Sequence, residues 1–165
     1  MANQLMGKYN NHTPVVEIFT EGSISLPCKQ ITKSFLENIA VRTLIFLEQK
    51  RVSITLIVTD NKNIQDINSE YRNKNHPTDV ISFAYRDSPF PEPPLELEEL
   101  GDIYLSFEKA EEQASQYNTT LTDEITRLII HGIVHLAGYD HETGHKEKKE
   151  MERIENDILE SIQNP

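Results

Sequence analysis

Three histidines in the last third of the chain have the spacing of metal ligands. His131 and His135 are four residues apart, so on an α-helix their imidazoles lie on one face, one turn apart. Gly138 can end such a helix in a left-handed conformation, which allows the chain to turn back and bring His141 to the same point. Three nitrogens and an open fourth position are the ligand set of a catalytic zinc, whose bound water has a pKa of about 7. The spacing predicts one Zn²⁺ per chain, bound by His131, His135 and His141.

The residue after the first histidine restricts the reaction that this metal could support. The spacing matches the metzincin protease signature H-E-x-x-H-x-x-G-x-x-H except at one position, where Gly132 replaces the glutamate general base. Glycine cannot take a proton from a metal-bound water, so peptide hydrolysis by that mechanism is disfavoured. We expect Gly132 to permit a close approach instead, either by substrate or by packed backbone.

Other polar residues are weaker candidates. Asp102 and Asp140 could be outer partners that orient the metal ligands, and His145 lies one helical turn beyond His141 in a charged stretch. Cys28 is the single cysteine, so it cannot form an internal disulfide, which agrees with a reducing compartment. We interpret it as a small buried hydrophobic residue on a helix.

The elements that must position the histidines alternate between strand and helix patterns. From Leu128 to Ala137 all residues are apolar except His131, Gly132 and His135, so the helix that carries them should be buried. The pattern predicts an α+β fold with a small mixed central sheet of about four strands, flanked by helices. Strands are predicted at 15–20, 52–59, 80–85 and 102–107, and helices at 26–49, 64–71, 108–117, 121–137 and over the amphipathic final segment.

Length and charge set the organisation and exclude some partners. The 165 residues predict a single domain over 1–165, with 1–12 as a loose N-terminus and 86–100 as an exposed acidic, proline-rich loop. The net charge of -11 is opposite to that of a protein that binds nucleic acid through bulk electrostatics, so an RNA or DNA partner would need a local basic patch. The chain has neither an apolar run of about 20 residues nor a readable secretory signal, so we expect a cytoplasmic protein without membrane contact.

Eleven residues from His131 to His141 read H-G-x-x-H-L-x-G-Y-D-H, and this pattern resembles the hallmark of the YbeY-type rRNA maturation factors, which are bacterial metal-dependent endoribonucleases. The resemblance extends from about Val15 to the last helix. Two further blocks match, namely Tyr71, Arg72, Pro77, Thr78, Asp79, Val80, Ser82 and Phe83, and Gly101, Asp102 and Ile103. Two departures are the Asn-Lys-Asn-His connection after Arg72, where the family usually has a more charged stretch, and Ala84 in place of a common proline.

The resemblance implies a single-strand-preferring endoribonuclease that matures ribosomal RNA, including the 3′ end of 16S rRNA, and acts in ribosome quality control with small-subunit components. It also implies that the three histidines bind zinc in a cleft and that Arg72 is essential. A guanidinium can stabilise the negative charge that builds on phosphorus during cleavage. A surface salt bridge is the alternative interpretation of Arg72. Together with Lys74 and Arg86, Arg72 could form the local basic patch.

Two other functions remain open at this point. One is a zinc hydrolase of peptides or small amides, against which the missing glutamate counts. The other is a non-catalytic ribosome-assembly module with a structural zinc, in which Cys28, Asp140 or His145 would close the fourth coordination position. For the nuclease, we expect the attacking group to be water activated at the zinc rather than the 2′-hydroxyl of the RNA. The sequence does not predict an oligomeric state.

Overall fold

A four-stranded mixed sheet forms the centre of the fold. The computed structural model describes residues 13–87, 97–139 and 144–165. Its strands are β1 (Val15–Thr20), β2 (Val52–Thr59), β3 (Val80–Ala84) and β4 (Glu98–Ser106), in the order β1-β2-β4-β3. The first, second and fourth strands are parallel, and β3 pairs with β4 antiparallel at one edge. The predicted mixed sheet of about four strands is confirmed.

Five α-helices surround this sheet in the described part of the chain: α1 (Lys33–Phe46), α2 (Asn61–Arg72), α3 (Phe107–Gln116), α4 (Leu121–Leu136) and α5 (His145–Gln163). The first four begin where a side-chain oxygen accepts a backbone N–H three residues later, which satisfies a donor that the helix itself leaves unpaired. These capping residues are Thr32, Asp60, Ser106 and Thr120. The α+β fold class is therefore confirmed. No helix of the described ranges is long and apolar enough to cross a membrane.

Helix α4 is buried against the sheet, as the sequence predicts. Leu128, Ile133 and Leu136 have no exposed surface. A Cβ atom added at Gly132 would lie 3.0 Å from Ile103 Cγ2, so the glycine allows the helix to approach the sheet closely. The helix ends at the predicted place, because Gly138 has a φ of 100°, a conformation that glycine adopts without strain.

The prediction of a first helix over 26–49 is wrong at both ends. Because Thr32 Oγ1 accepts the Phe35 N–H, α1 begins at Lys33, and it ends at Phe46. The predicted helical environment of Cys28 is therefore also wrong. Cys28 lies in a turn before α1, where its backbone exchanges two hydrogen bonds with Ile31, and it is half-buried.

Strand β4 begins four residues before the predicted boundary. Glu98 and Glu99 pair with Val52 and Ser53 of β2, so the end of the predicted loop is part of the sheet. Arg86 lies in a short 3-10 helix, Tyr85–Asp87, which follows β3 directly. The remaining loop residues 88–96 and the predicted loose N-terminus 1–12 lie outside the described residues.

Candidate metal centre

The first two predicted ligands lie between the side of α4 that packs on α5 and the side that packs on the sheet. On one side of α4, Val134 packs against α5. On another side, Gly132 packs against β3 and β4. At about 100° of rotation per residue, His131 and His135 lie between these two sides. Both histidines are half-buried, so α4 presents them at a partly exposed face and not in the core.

The two imidazoles approach each other with the nitrogens that could share an ion. His131 Nε2 and His135 Nε2 are 3.2 Å apart, and the ring planes are nearly perpendicular at 84°. Two nitrogens bound to one tetrahedral zinc at about 2.05 Å would be separated by about 3.3 Å. The pair therefore fits two ligand positions of a zinc ion, which confirms that the four-residue spacing brings these two side chains together.

A glutamate of α5 contacts the first of these rings. His131 Nδ1 lies 2.6 Å from Glu155 Oε1. An ionised carboxylate can only accept, so in this contact Nδ1 donates, and in a neutral ring Nε2 then carries the lone pair. Sequence reasoning did not single out Glu155, which is one of several charged residues in the amphipathic final segment. The available signal was its position between Met151 and Ile158, on the packed face of that helix.

An arginine one turn before His131 is surrounded by carboxylates. Arg127 Nη2 and Nε donate to the two oxygens of Glu124 at 2.6 and 3.1 Å, and Glu124 is only 2% exposed. Arg127 Nη2 also lies 3.9 Å from Asp79 Oδ2. The hydrogen bonds that Arg127 donates to Glu124, followed by the charges of Glu124, Asp79 and Glu155, raise the pKa of Arg127 against the effect of burial. Arg127 thus connects the Pro-Thr-Asp block to the neighbourhood of His131, which sequence reasoning also missed.

The third predicted ligand, His141, and Asp140 lie outside the described residues. Within the described ranges, no three His, Cys, Asp or Glu side chains form a group that could hold a metal ion. His145 is exposed at the start of α5. The structure thus brings together two of the three predicted ligands and adds Glu155 as the partner of one of them.

Asp102, which the sequence offers as an outer partner of the metal ligands, accepts a hydrogen bond on the other side of the sheet from the histidine pair. Its neighbour Ile103 points towards Gly132, and successive strand residues point to opposite faces, so Asp102 lies on the face away from α4. There it accepts a hydrogen bond of 2.7 Å from the Tyr85 hydroxyl, which is the main reason that the pKa of Tyr85 rises to about 12. Glu155, not Asp102, is the acidic residue that contacts a histidine of the pair.

Arg72 ends the helix α2, whose neighbouring residue Tyr71 packs on β3. It is the last residue of α2 and is exposed. The ring of the preceding residue, Tyr71, contacts that of Phe83 on β3 edge-to-face, with centroids 5.1 Å apart. Ser82, next along β3, donates a hydrogen bond of 3.2 Å to the Gly132 carbonyl oxygen. The end of α2 therefore meets β3 at the level of the histidine pair, on the other face of the sheet.

The predicted basic patch is weaker than the sequence suggests. Arg86 forms a two-pronged ion pair with Glu98, with Nε and Nη2 at 2.7 and 3.0 Å from its carboxylate oxygens. This pairing raises the pKa of Arg86 and lowers that of Glu98. The charge of Arg86 is thus balanced locally, while Arg72 and Lys74 are exposed at the end of α2.

The mixed sheet and the paired imidazoles on its buried helix define an α+β domain with a candidate metal centre. The family model described as Endoribonuclease YbeY matches residues 18–163, and the chain belongs to this family. It is 40% identical to the Endoribonuclease YbeY of Sulfurihydrogenibium sp. over 81% of this chain and 86% of that protein. The Endoribonuclease YbeY of Aquifex aeolicus is 37% identical over 84% and 89%.

The comparison of structures agrees with this assignment. The solution structure of a Thermotoga maritima protein matches with a TM-score of 0.58 and 30% sequence identity. The match covers 88% of this chain and 87% of the other. The family resemblance predicted from the three sequence blocks is therefore confirmed, together with the fold that it implied.

Proposed function

We propose that this protein is a zinc-dependent, single-strand-preferring endoribonuclease that acts in ribosomal RNA maturation, including the 3′ end of 16S rRNA, and in ribosome quality control. Membership of the Endoribonuclease YbeY family supports a nuclease, that is, a hydrolase of phosphodiester bonds, with RNA as its substrate. The observation that carries the proposal is the separation of 3.2 Å between the Nε2 atoms of His131 and His135. Residues 1–165 would form one endoribonuclease domain.

His131 and His135 would hold one Zn²⁺ through their Nε2 atoms, and His141 would be the third ligand. When bound, zinc supplies a Lewis acid that polarises a phosphoryl oxygen and lowers the pKa of water. Glu155 Oε1 contacts His131 Nδ1 at 2.6 Å, on the side of the ring opposite the nitrogen that would hold the metal. Gly132 contributes close packing against Ile103 and no general base, which argues against a metzincin-like peptide hydrolase.

Arg72 would bind the phosphate group that is cleaved by reaching around the edge strand β3, since the end of α2 lies on the face of the sheet opposite the histidine pair. Among the described residues it forms no salt bridge, which favours phosphate binding over the alternative of a surface ion pair. Its guanidinium stays ionised and can donate to two oxygens of one phosphate. Since the chain carries a net charge of -11, such a local cation is needed where the RNA backbone approaches. The partners would be single-stranded ribosomal RNA and small-subunit components in the cytoplasm.

RNA cleavage by matched variants tests the proposal. We expect the zinc-loaded protein to cut a single-stranded RNA that carries the 3′ end of 16S rRNA with its precursor extension, and to cut a duplex of the same sequence more slowly. His135→Ala should abolish cutting, whereas Lys148→Ala, which changes an exposed residue of α5, should leave it unchanged. Equal cleavage by wild type and His135→Ala would contradict the proposal.

A further inference from the structure

We propose that Glu155 is a positioning residue that holds His131 in the tautomer and orientation needed to bind metal, so that α5 sets the metal affinity of α4. The inference rests on the proposed function, because it takes His131 as a metal ligand. The contact itself is a separate observation, since it joins Nδ1 of His131, the nitrogen opposite the one that faces His135.

The hydrogen bond between Glu155 and His131 is short and partly shielded from water. Its length is 2.6 Å, and the exposed fractions of the two side chains are 27% for His131 and 22% for Glu155. A hydrogen bond to an ionised acceptor is about twice as strong as one between neutral groups, and shielding preserves more of that strength. A carboxylate that accepts from Nδ1–H also makes the other imidazole nitrogen a better electron-pair donor. Its effect should therefore appear as tighter metal binding at Nε2.

Apolar packing places this carboxylate. Met151 and Ile158, one turn on either side of Glu155, are 2% and 0% exposed and pack with Ile130 and Val134 of α4. Residues at spacings of three and four lie on one side of a helix, so Glu155 faces α4 together with them. The carboxylate is therefore positioned by a buried contact between two helices.

Hydrogen bonds from α1 fix the C-terminal end of α5. Arg42 of α1 donates hydrogen bonds of 2.8 and 3.2 Å to the carbonyl oxygens of Ser161 and Ile162. These are acceptors in the last turn of a helix, which has no later turn to pair with them. The apolar packing of α5 on α4 and the hydrogen bonds from Arg42 both oppose rotation of α5. Glu155 therefore keeps its place beside His131.

Arg127, whose pKa the charge of Glu155 affects, does not displace His131 as the partner of the Glu155 carboxylate. Arg127 is engaged by the two oxygens of Glu124, and Glu155 contributes the smallest of the carboxylate effects that raise the pKa of Arg127. The Glu155 carboxylate itself lies in hydrogen-bond contact with His131 Nδ1, at 2.6 Å.

Zinc affinity and the protonation pattern of His131 test the inference. The variants are Glu155→Ala, Glu155→Gln, and Glu152→Gln as the control, because Glu152 is 58% exposed on the same helix and lies 4.0 Å from Lys148. Competition with a chromophoric chelator gives the zinc Kd, and ¹⁵N chemical shifts of the metal-free protein show which ring nitrogen carries the proton. We expect Glu155→Ala to weaken zinc binding about 10- to 100-fold. The zinc Kd of Glu155→Gln should lie between those of wild type and Glu155→Ala, since an amide oxygen accepts a hydrogen bond but carries no charge. The zinc Kd of Glu152→Gln should match that of wild type.

The two measurements separate failure of this inference from failure of the proposed function. In metal-free wild type the His131 proton should be on Nδ1, and Glu155→Ala should move it towards Nε2. An unchanged Kd and an unchanged proton position in Glu155→Ala would overturn the inference while leaving the zinc site intact. Absence of zinc binding by wild type would overturn the proposed function, and the proton position would still decide the role of Glu155. Should Glu155→Ala unfold, the isosteric Glu155→Gln gives the same decision.

Discussion

Replacing Gly132 with alanine tests how closely α4 must approach the sheet to hold the histidine pair. The new Cβ would lie 3.0 and 3.2 Å from the Cγ2 and Cδ1 atoms of Ile103, and 3.3 Å from Ser82 Oγ. All three separations are shorter than the usual contact distance of about 3.5–4.0 Å between carbon atoms. Ile103 is completely buried, so it cannot move aside without displacing its own neighbours. The helix and the sheet must therefore separate slightly.

Helix propensity and overpacking change the free energy of unfolding of Gly132→Ala in opposite directions. Alanine is better than glycine in a helix interior by about 1 kcal/mol, and overpacking a tight core costs about 1–3 kcal/mol. Because the contacts lie at a buried strand on one side, we expect overpacking to dominate, with a net destabilisation of about 1 kcal/mol for Gly132→Ala. His131 and His135 flank the displaced residue, so the variant should also bind zinc more weakly than wild type.

Urea unfolding measures this free energy, and a second substitution provides the control. Ile103→Val removes the methyl group at 3.2 Å from the new Cβ, and alone it should cost about 0.5–1.5 kcal/mol. In the double variant the two costs should not add, because the smaller side chain relieves part of the clash. The reasoning is refuted if Gly132→Ala is more stable than wild type by the full helix-propensity difference, or if the two costs are strictly additive.

Three further predictions concern the phosphate, the stability at low pH and the nucleophile. Arg72→Ala should sharply reduce RNA cleavage while zinc content and thermal stability stay near wild type, since the side chain is exposed; a large loss of stability would favour a salt-bridge role. Hydrogen bonds from the backbone N–H groups of Asn63 and Ser23 lower the pKa of Asp60 below its ordinary value of 3.8. The ionised Asp60 therefore stabilises the fold above pH 3.8, and this stabilisation is lost as the pH falls through the lower pKa of the folded state. Asp60→Asn should therefore flatten the acid limb of stability in urea titrations, and an unchanged acid limb would contradict this. RNA with a 2′-methoxy group at the cut position should still be cleaved, leaving no cyclic phosphate, whereas complete resistance would make the RNA hydroxyl the nucleophile.

Local sequence signals were enough to predict helix α4 and its histidine pair. The Thr120 side chain caps the helix, the apolar run buries it, and Gly138 follows its end. Each of these features acts within a few residues, so it is readable without knowledge of the fold. The placement of His131 and His135 side by side follows from helical geometry alone, because residues four apart share one face of an α-helix.

Features that depend on the docking of distant segments could not be predicted in this way. Glu155 is 24 residues from His131, and only the packing of α5 on α4 brings them together. The start of β4 at Glu98 depends on pairing with β2 and not on strand propensity, since glutamate is depleted in strands. The ion pair of Arg86 with Glu98 follows from the antiparallel pairing of β3 with β4, in which Ala84 pairs with Gly101, and it removes one cation from the predicted basic patch.

The metal content of purified protein tests the central claim most directly. After dialysis against a weak chelator, mass spectrometry of the metal should find about one zinc per wild-type chain, as a three-histidine site implies. A triple variant in which His131, His135 and His141 are replaced by alanine should keep its helical circular dichroism and carry no zinc. Full retention of zinc by this variant would contradict the assignment of the histidines as the metal centre.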